Sequence, residues 1–127
     1  MSATSSPQSA QQTVFTSAAR TATEASTTFA NLGFRGLDLV IDCTASADTP
    51  SVVFTIQGYS PLGDDYYTIL ASAAVTGAAT TVLRVYPGLT IAANLVANFV
   101  LPALWRVNAT HADGDSITYS VNALLHP

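Results

Sequence analysis

The chain has 127 residues, which is enough for one domain with a hydrophobic core and too few for two. Apolar residues make up 49% of it and charged residues only 9%, where an ordinary globular protein carries about 25% charged residues. All four cations are arginines. The net charge of -4 argues against a nucleic-acid partner, because phosphate binding requires a basic patch. Such a charge deficit indicates a surface covered by partner subunits, or else a neutral, Thr-rich surface.

The N-terminal part of the chain combines a polar segment with short strand candidates. Residues 1–12 (MSATSSPQSAQQ) have no apolar pattern and predict a flexible or partner-bound arm that precedes a single β-sandwich domain over 13–127. They also lack a charged n-region and an apolar h-region, so no secretory signal is expected. Thr13–Ser17 predicts a first strand, and the threonines of Arg20–Phe29 favour a second strand over a helix. Residues 31–36 (NLGFRG) predict a turn.

The stretch Leu37–Ala73 is the centre of the predicted fold. It reads LDLVIDCTA, SVVFTIQGYS and YYTILASA, three β-rich runs separated by turn residues. In the first run, alternation places Leu37, Leu39, Ile41 and Cys43 on one face, which is expected to be buried. These runs predict a three-stranded antiparallel meander. As the only cysteine, Cys43 excludes an internal disulfide and is expected to be a small buried hydrophobe.

The C-terminal part predicts three further strands and one ambiguous segment. Thr80–Tyr86 predicts a strand. Leu89–Leu101 (LTIAANLVANFVL) suits either a short amphipathic helix or an irregular apolar loop. The longest apolar stretch, Leu89–Trp105, is too short and too polar to span a membrane. Leu104–Thr110 and Ser116–Leu124 predict a closing hairpin around Asp113-Gly114. About eight short strands predict an all-β, two-sheet antiparallel sandwich, either jelly-roll or Ig-like, with the strand order left open.

Acidic pairs offer the first candidate chemistry. Asp64-Asp65 and the pair Asp113 and Asp115 could supply carboxylates to Ca²⁺, but their spacing matches no calcium loop and aspartate is a common turn residue. Asp38 and Asp42 point the same way from one strand. No aromatic cleft accompanies them, so a polar outer face or a salt bridge to an arginine is favoured over a glycosidase pair.

Nucleophilic and metal chemistry have no better support. The two histidines are His111 in a predicted turn and His126 at the penultimate position. No GxSxG elbow and no Gly-rich phosphate loop occurs, and two histidines alone lack the usual third zinc ligand. We therefore predict a protein that is not an enzyme and has no catalytic, cofactor-binding or metal site and no cofactor.

The aromatic residues could instead form a sugar-stacking surface. Tyr66 and Tyr67 are adjacent, so in a strand they face opposite sides and cannot form one platform. Trp105 falls in an alternating strand and is expected to anchor the core. Core packing is therefore favoured for the set, which is Tyr59, Tyr66, Tyr67, Tyr86, Trp105 and Tyr119.

Several phrases of this sequence resemble those of small virion structural proteins of tailed bacteriophages, of the capsid decoration or cement type. The resemblance begins near Gly33 and covers about three quarters of the chain. It is carried by GLDLVIDCTA (Gly36–Ala45), TPSVVFTIQGYSP (Thr49–Pro61), YYTILASAA (Tyr66–Ala74), LRVYPGL (Leu83–Leu89) and LPALWRVNATHADGDSITYSVNALL (Leu101–Leu125).

The resemblance implies a structural β-sandwich on the capsid exterior, made in the host cytoplasm, with the major capsid protein as partner. The low charge is compatible with a homo-oligomer, a dimer or trimer, that clamps capsid subunits without contacting nucleic acid or membrane. Leu89–Leu101 and residues 1–30 are the expected contact surfaces. The alternatives are a tail or head–tail connector protein and, in another class, a carbohydrate-binding module.

Overall fold

Regular structure in the described part of the chain, residues 10–127 of a computed structural model, is entirely β. No helix occurs there, so the predicted all-β class is confirmed. The strands are β1 (Ala10–Arg20), β2 (Glu24–Ala25), β3 (Phe29–Ala30), β4 (Gly36–Ser46), β5 (Val52–Ser60), β6 (Asp65–Ala71), β7 (Ala79–Val85), β8 (Val96–Ala97), β9 (Leu104–His111) and β10 (Ile117–His126).

The strands form two open sheets of five. The first has the order β1-β10-β4-β7-β8, and the second has the order β2-β9-β5-β6 with β3 also on β9. Every pair is antiparallel except β7 with β8. The sheets face each other across one core, where Phe54 of β5 meets Tyr119 of β10 edge to face with ring centroids 4.9 Å apart. This arrangement is consistent with the predicted sandwich.

Strands from the first half of the chain pair with strands from the second half in nested order. β1 pairs with β10, β2 and β3 with β9, β4 with β7, and β5 with β6. Successive pairs alternate between the two sheets. The contacts of β10 with β4 and of β9 with β5 then join these pairs side by side.

Two predicted connections are wrong. Of the meander over Leu37–Ala73, only β5 and β6 are neighbours, because β4 lies in the other sheet. The closing hairpin around Asp113-Gly114 is also absent, since β9 and β10 belong to different sheets. Residues 47–51 and 112–116 cross between the sheets instead of turning within one. Alternation identifies the buried face of a strand but not its partner, and both sheets bury one face.

The first strand begins earlier than predicted and the second is interrupted. Ala10–Gln12, assigned above to the arm, pair with β10, whereas residues 1–9 of that arm lie outside the described residues. The predicted strand Arg20–Phe29 is reduced to β2 and β3. Between them, the Ser26 amide donates to the Val107 carbonyl, and the Ser26 hydroxyl accepts from the Val107 amide. A side chain thus replaces a carbonyl in the ladder and interrupts the strand.

The predicted buried face of the central strand is confirmed. Leu37, Leu39 and Ile41 are fully buried and Cys43 is 3% exposed. Burial, with a smaller contribution from Asp42, raises the pKa of the Cys43 thiol to about 11. Cys43 is therefore protonated at neutral pH and packs as a small apolar side chain.

Candidate functional site

Three of the four aspartates in the two acidic pairs accept hydrogen bonds from the chain itself, namely Asp64, Asp113 and Asp115. The Tyr59 hydroxyl donates to Asp64 Oδ1 at 2.6 Å. Asp113 accepts from the Asp115 amide at 3.0 Å, and Asp115 accepts from the amide and hydroxyl of Thr49 at 3.2 and 3.3 Å. Within residues 10–127, no group of three or more His, Cys, Asp or Glu side chains could hold a metal ion. These three carboxylates accept hydrogen bonds at turns, in keeping with the frequent occurrence of aspartate in turns.

Asp38 and Asp42 lie on the outer face of β4, and the predicted salt bridge to an arginine is present. Asp38 Oδ1 is 3.9 Å from Nε of Arg84, and its Oδ2 is 3.3 Å from Nε2 of His126. Asp42 accepts a hydrogen bond from the Thr80 hydroxyl at 3.3 Å. Both carboxylates therefore contact their neighbours on the same sheet.

The other histidine, His111, contacts a core tyrosine. Its Nε2 lies 3.1 Å from the Tyr119 hydroxyl. Burial lowers the pKa of His111, and the charge of Arg20 adds to this, while Asp113 and Glu24 act in the opposite direction. Burial also raises the pKa of Tyr119 to about 12. At neutral pH the pair therefore consists of a neutral imidazole and a neutral phenol.

Trp105 is a core anchor, as predicted. It is 1% exposed and its ring lies 4.9 Å from that of Phe29, centroid to centroid. Its Nε1 has no hydrogen-bond partner among the described residues.

Tyr66 and Tyr67 face opposite sides of β6, which confirms that they form no common platform. The Tyr66 ring packs against Tyr59 on the outer face, with centroids 4.7 Å apart. The guanidinium carbon of Arg106 lies 3.4 Å from the Tyr66 ring centroid. Tyr67 instead covers Gly58 on the inner face, where an added Cβ would lie 2.3 Å from the tyrosine Cζ. The Arg106 guanidinium therefore occupies the Tyr66 face where a sugar would have to stack.

Leu89–Leu101 is an irregular apolar loop that contains β8 and no helix. The Arg84 amide donates to the Leu95 carbonyl at 2.8 Å, and the side-chain amide of Asn94 donates to the Ala71 carbonyl at 3.1 Å. Buried Leu101 ends the loop, and its amide donates to the Arg35 carbonyl at 2.9 Å. The loop is thus fastened across the open side of the sandwich between β6 and β7.

Four large apolar side chains of this loop face outward. They are Ile91, Leu95, Phe99 and Val100, which are 71%, 48%, 42% and 55% exposed. We refer to these four residues as the apolar side. Because the backbone around them is hydrogen-bonded in place, their exposure is a property of the folded chain and not of a free end.

Two surface depressions flank the turn at 92–96. One, of about 300 Å³, lies against β6 and is lined by residues 69–70, 91–94 and 96–99. The other, of about 470 Å³, lies beside β7 and is lined by residues 73–79, 81 and 93–95. Ala93 and Asn94 border both. Neither lining contains a charged residue, and no charge occurs in the sequence between Arg84 and Arg106. This part of the surface therefore suits an uncharged partner surface.

Part of this geometry could be found in the sequence and part could not. The spacing of Ile91, Leu95 and Phe99 was visible as a possible helical stripe, and the prediction of Leu89–Leu101 as a contact surface remains a prediction. The grouping of Tyr59, Tyr66 and Arg106 was missed. It depends on β9 lying beside β5, and no local signal encodes that pairing.

No helix of the described chain is long and apolar enough to cross a membrane. Comparison with protein-family models, with curated proteins and with solved structures finds no match for this chain.

Proposed function

We propose that this chain is a non-enzymatic structural protein of a bacteriophage virion, a decoration or cement protein that binds and stabilises the major capsid shell. The apolar side is the observation that carries the proposal. Exposed apolar patches on small domains mark interaction sites, and this patch adjoins uncharged depressions in a chain with only 9% charged residues.

We infer that the sandwich is a jelly roll. The nested pairs alternate between the sheets, as they do when one long hairpin with its turn at 61–64 is rolled into two layers. An Ig-like sandwich, whose strands A to G form sheets of order ABED and CFG, places several pairs of consecutive strands side by side. Among the strands described here, β5–β6 is the only antiparallel pair of consecutive strands, since β7 and β8 pair in parallel. Jelly rolls occur in viral capsid domains and also in lectins, so this topology supports the proposal without deciding it.

Such a role requires no catalytic chemistry. Each copy contributes a modest interface, and many copies on a repeating lattice add through multivalency. A dimer or trimer placed where capsid subunits meet would hold them together, in keeping with the symmetry of closed oligomers.

Two other functions fit less well. A carbohydrate-binding module would require free aromatic faces, but Tyr67 covers Gly58 and Tyr66 lies under Arg106. A tail or head–tail connector protein would use the same kind of surface, so copy number must distinguish it from a decoration protein.

Quantitative mass spectrometry of purified particles, followed by cryo-EM, tests the proposal. We expect roughly hundreds of copies per particle, with density for a small sandwich repeated over the icosahedral shell. A few copies on the tail axis would assign the connector role. Absence from every particle would contradict both, and a glycan array would then test the lectin alternative.

A further inference from the structure

The outer face of the second sheet brings Arg106 of β9 beside Gln57 and Tyr59 of β5 and Tyr66 of β6, from which Arg106 is distant in sequence. Register places Gln57 of β5 opposite Arg106 of β9, and Tyr59 of β5 opposite Tyr66 of β6. The side chains alternate with the buried residues Ile56, Gly58 and Trp105, so they project away from the core.

The Arg106 guanidinium is held in one position from two directions. Its Nε donates to Gln57 Oε1 at 2.8 Å, and its carbon lies 3.4 Å from the centroid of the Tyr66 ring. Tyr66 is itself fixed by a hydrogen bond of 2.5 Å between its hydroxyl and that of Thr28, and by the ring of Tyr59. The Arg106 side chain is therefore already ordered, so it loses less rotamer freedom on binding than a free arginine side chain would.

This ordered cation has no acidic partner in the described chain. Arg20 pairs with Glu24 at 3.0 Å and Arg84 with Asp38 at 3.9 Å, but no carboxylate of residues 10–127 lies within ion-pair distance of Arg106. Residues 1–9 contain no acid. The contacts of Arg106 use its Nε and its π face, so its two Nη groups make no hydrogen bond to any described residue. These are the donors with which arginine grips a carboxylate in a bidentate fork.

We propose that Arg106, with Tyr59 and Tyr66 beside it, is a second docking site that receives an aspartate or glutamate side chain from the surface of a partner protein. Charge complementarity selects the carboxylate. Arginine and tyrosine are enriched at the centres of protein–protein interfaces, where half-buried rings exclude water from the ion pair. A sugar carboxylate is less suited because the guanidinium covers the Tyr66 face. The turn carboxylate of Asp64 accepts a hydrogen bond from the Tyr59 hydroxyl.

This site lies outside the apolar side and does not depend on the virion role, so the two proposals can fail separately. The test is an NMR titration of the full-length chain, in which the Arg106 Nε–Hε resonance is followed. The probe is a blocked tripeptide, acetyl-Gly-Glu-Gly-amide, compared with its Gln counterpart at equal ionic strength. We expect a saturating shift at Arg106 with the Glu peptide and none with the Gln peptide.

Variants connect that shift to the proposed fork. Binding to the Arg106 variants, which lack the Nε–Hε group, is followed at the backbone amides of Gln57, Tyr59 and Tyr66. Arg106→Gln should weaken binding of the Glu peptide about tenfold or more, since a charge-assisted hydrogen bond is lost. Arg106→Lys keeps the charge but loses the fork, and should bind between the two. Arg35→Gln removes an exposed arginine elsewhere and is the matched control, expected to leave the titration unchanged. Unperturbed far-UV spectra would show that all variants fold.

Three outcomes would overturn the proposal. Equal shifts for the Glu and Gln peptides would remove the charge recognition. Loss of binding in Arg35→Gln as large as in Arg106→Gln would show nonspecific attraction to any cation. Tighter binding of glucuronic acid than of the Glu peptide would assign the site to an anionic glycan instead of a protein.

Discussion

The Tyr119 hydroxyl of β10 lies 3.1 Å from Nε2 of His111 in β9, so this contact joins the two sheets across the core. Around it, Phe54 and Phe15 meet the Tyr119 ring edge to face, with centroids 4.9 and 6.0 Å away. The guanidinium of Arg20 lies 4.7 Å from the centroid of the same ring. Strands β1, β5, β9 and β10 thus converge on one phenol.

This contact predicts a pH dependence of stability. Burial lowers the pKa of His111 below its usual 6.5, so the folded chain prefers the neutral imidazole and the unfolded chain binds a proton more readily. The contribution of His111 is complete above pH 6.5 and is lost as the pH falls through the folded-state pKa. Urea midpoints at pH 8 and pH 5.5 should therefore differ less for His111→Gln than for the wild type.

His126→Gln is the control for that experiment. It removes the other imidazole, which contacts Asp38 on the outer face, and should retain the wild-type response of His111. An identical loss of stability on acidification in the wild type and His111→Gln would contradict the assignment.

Because Nε1 of Trp105 has no hydrogen-bond partner among the described residues, two substitutions of Trp105 should differ in their effect on stability. Trp105→Ala leaves a large cavity and should cost about 3–5 kcal/mol of unfolding free energy. Trp105→Phe should cost clearly less, because no hydrogen bond to Nε1 is lost and much of the ring volume remains. Equilibrium urea unfolding of both variants measures the difference. A cost for Trp105→Phe as large as that for Trp105→Ala would contradict this expectation.

Two glycines should respond differently to an added methyl group. At Gly36 a Cβ would lie 2.1 Å from the backbone oxygen of Val85, so Gly36→Ala should cost about 3 kcal/mol or more, because the β4–β7 ladder must shift. At Gly58 the obstacle is the ring of Tyr67, which is 39% exposed and can rotate outward, so Gly58→Ala should cost about 1 kcal/mol.

Thermal unfolding of both glycine variants checks the ranking. Adding Tyr67→Ala to Gly58→Ala should show non-additivity, because it removes the obstructing ring. The reverse ranking would mean that the β4–β7 pair is more adaptable than the core under Tyr67.

The apolar side predicts a variant that binds poorly but folds well. The double substitution Ile91→Asn/Phe99→Asn replaces two exposed side chains and should change the unfolding free energy by about 0.5 kcal/mol or less per site. Binding to particles that lack this protein should weaken at least about tenfold, as measured by co-sedimentation. Leu62→Asn removes a fully exposed apolar side chain in the β5–β6 turn and should bind normally. Normal binding by the double variant would exclude the apolar side as the contact.

The local pattern of this sequence predicted burial well and pairing poorly. Period-2 alternation identified the buried face of Leu37, Leu39 and Ile41 and the core position of Trp105, because side-chain direction in a strand is a local property. Asp113-Gly114 predicted a hairpin, but turn-forming residues also suit a connection that crosses between sheets. Only the global packing of β9 and β10 on opposite sides of one core decides between the two.

Because local patterns do not show which strands pair, two features of the structure could not be predicted from any motif. Ser26 interrupts a strand through a hydrogen-bond pair with Val107, a residue far along the chain. The Arg106–Tyr66 contact requires three strands in the order β9-β5-β6. Such contacts belong to the topology, and alternation in one strand carries no information about which strand lies beside it.

The nested pairing also determines when this chain can fold. Among the described strands β10 comes last in chain order, yet it lies between β1 and β4, so β1 has no neighbour in its sheet until β10 has been synthesised. Contacts between residues that far apart in sequence are closed slowly, after the entropy of a long loop has been lost. Until β10 is present, β1 and the edge of β4 that will pair with β10 remain unpaired, and unpaired strand edges are prone to aggregation.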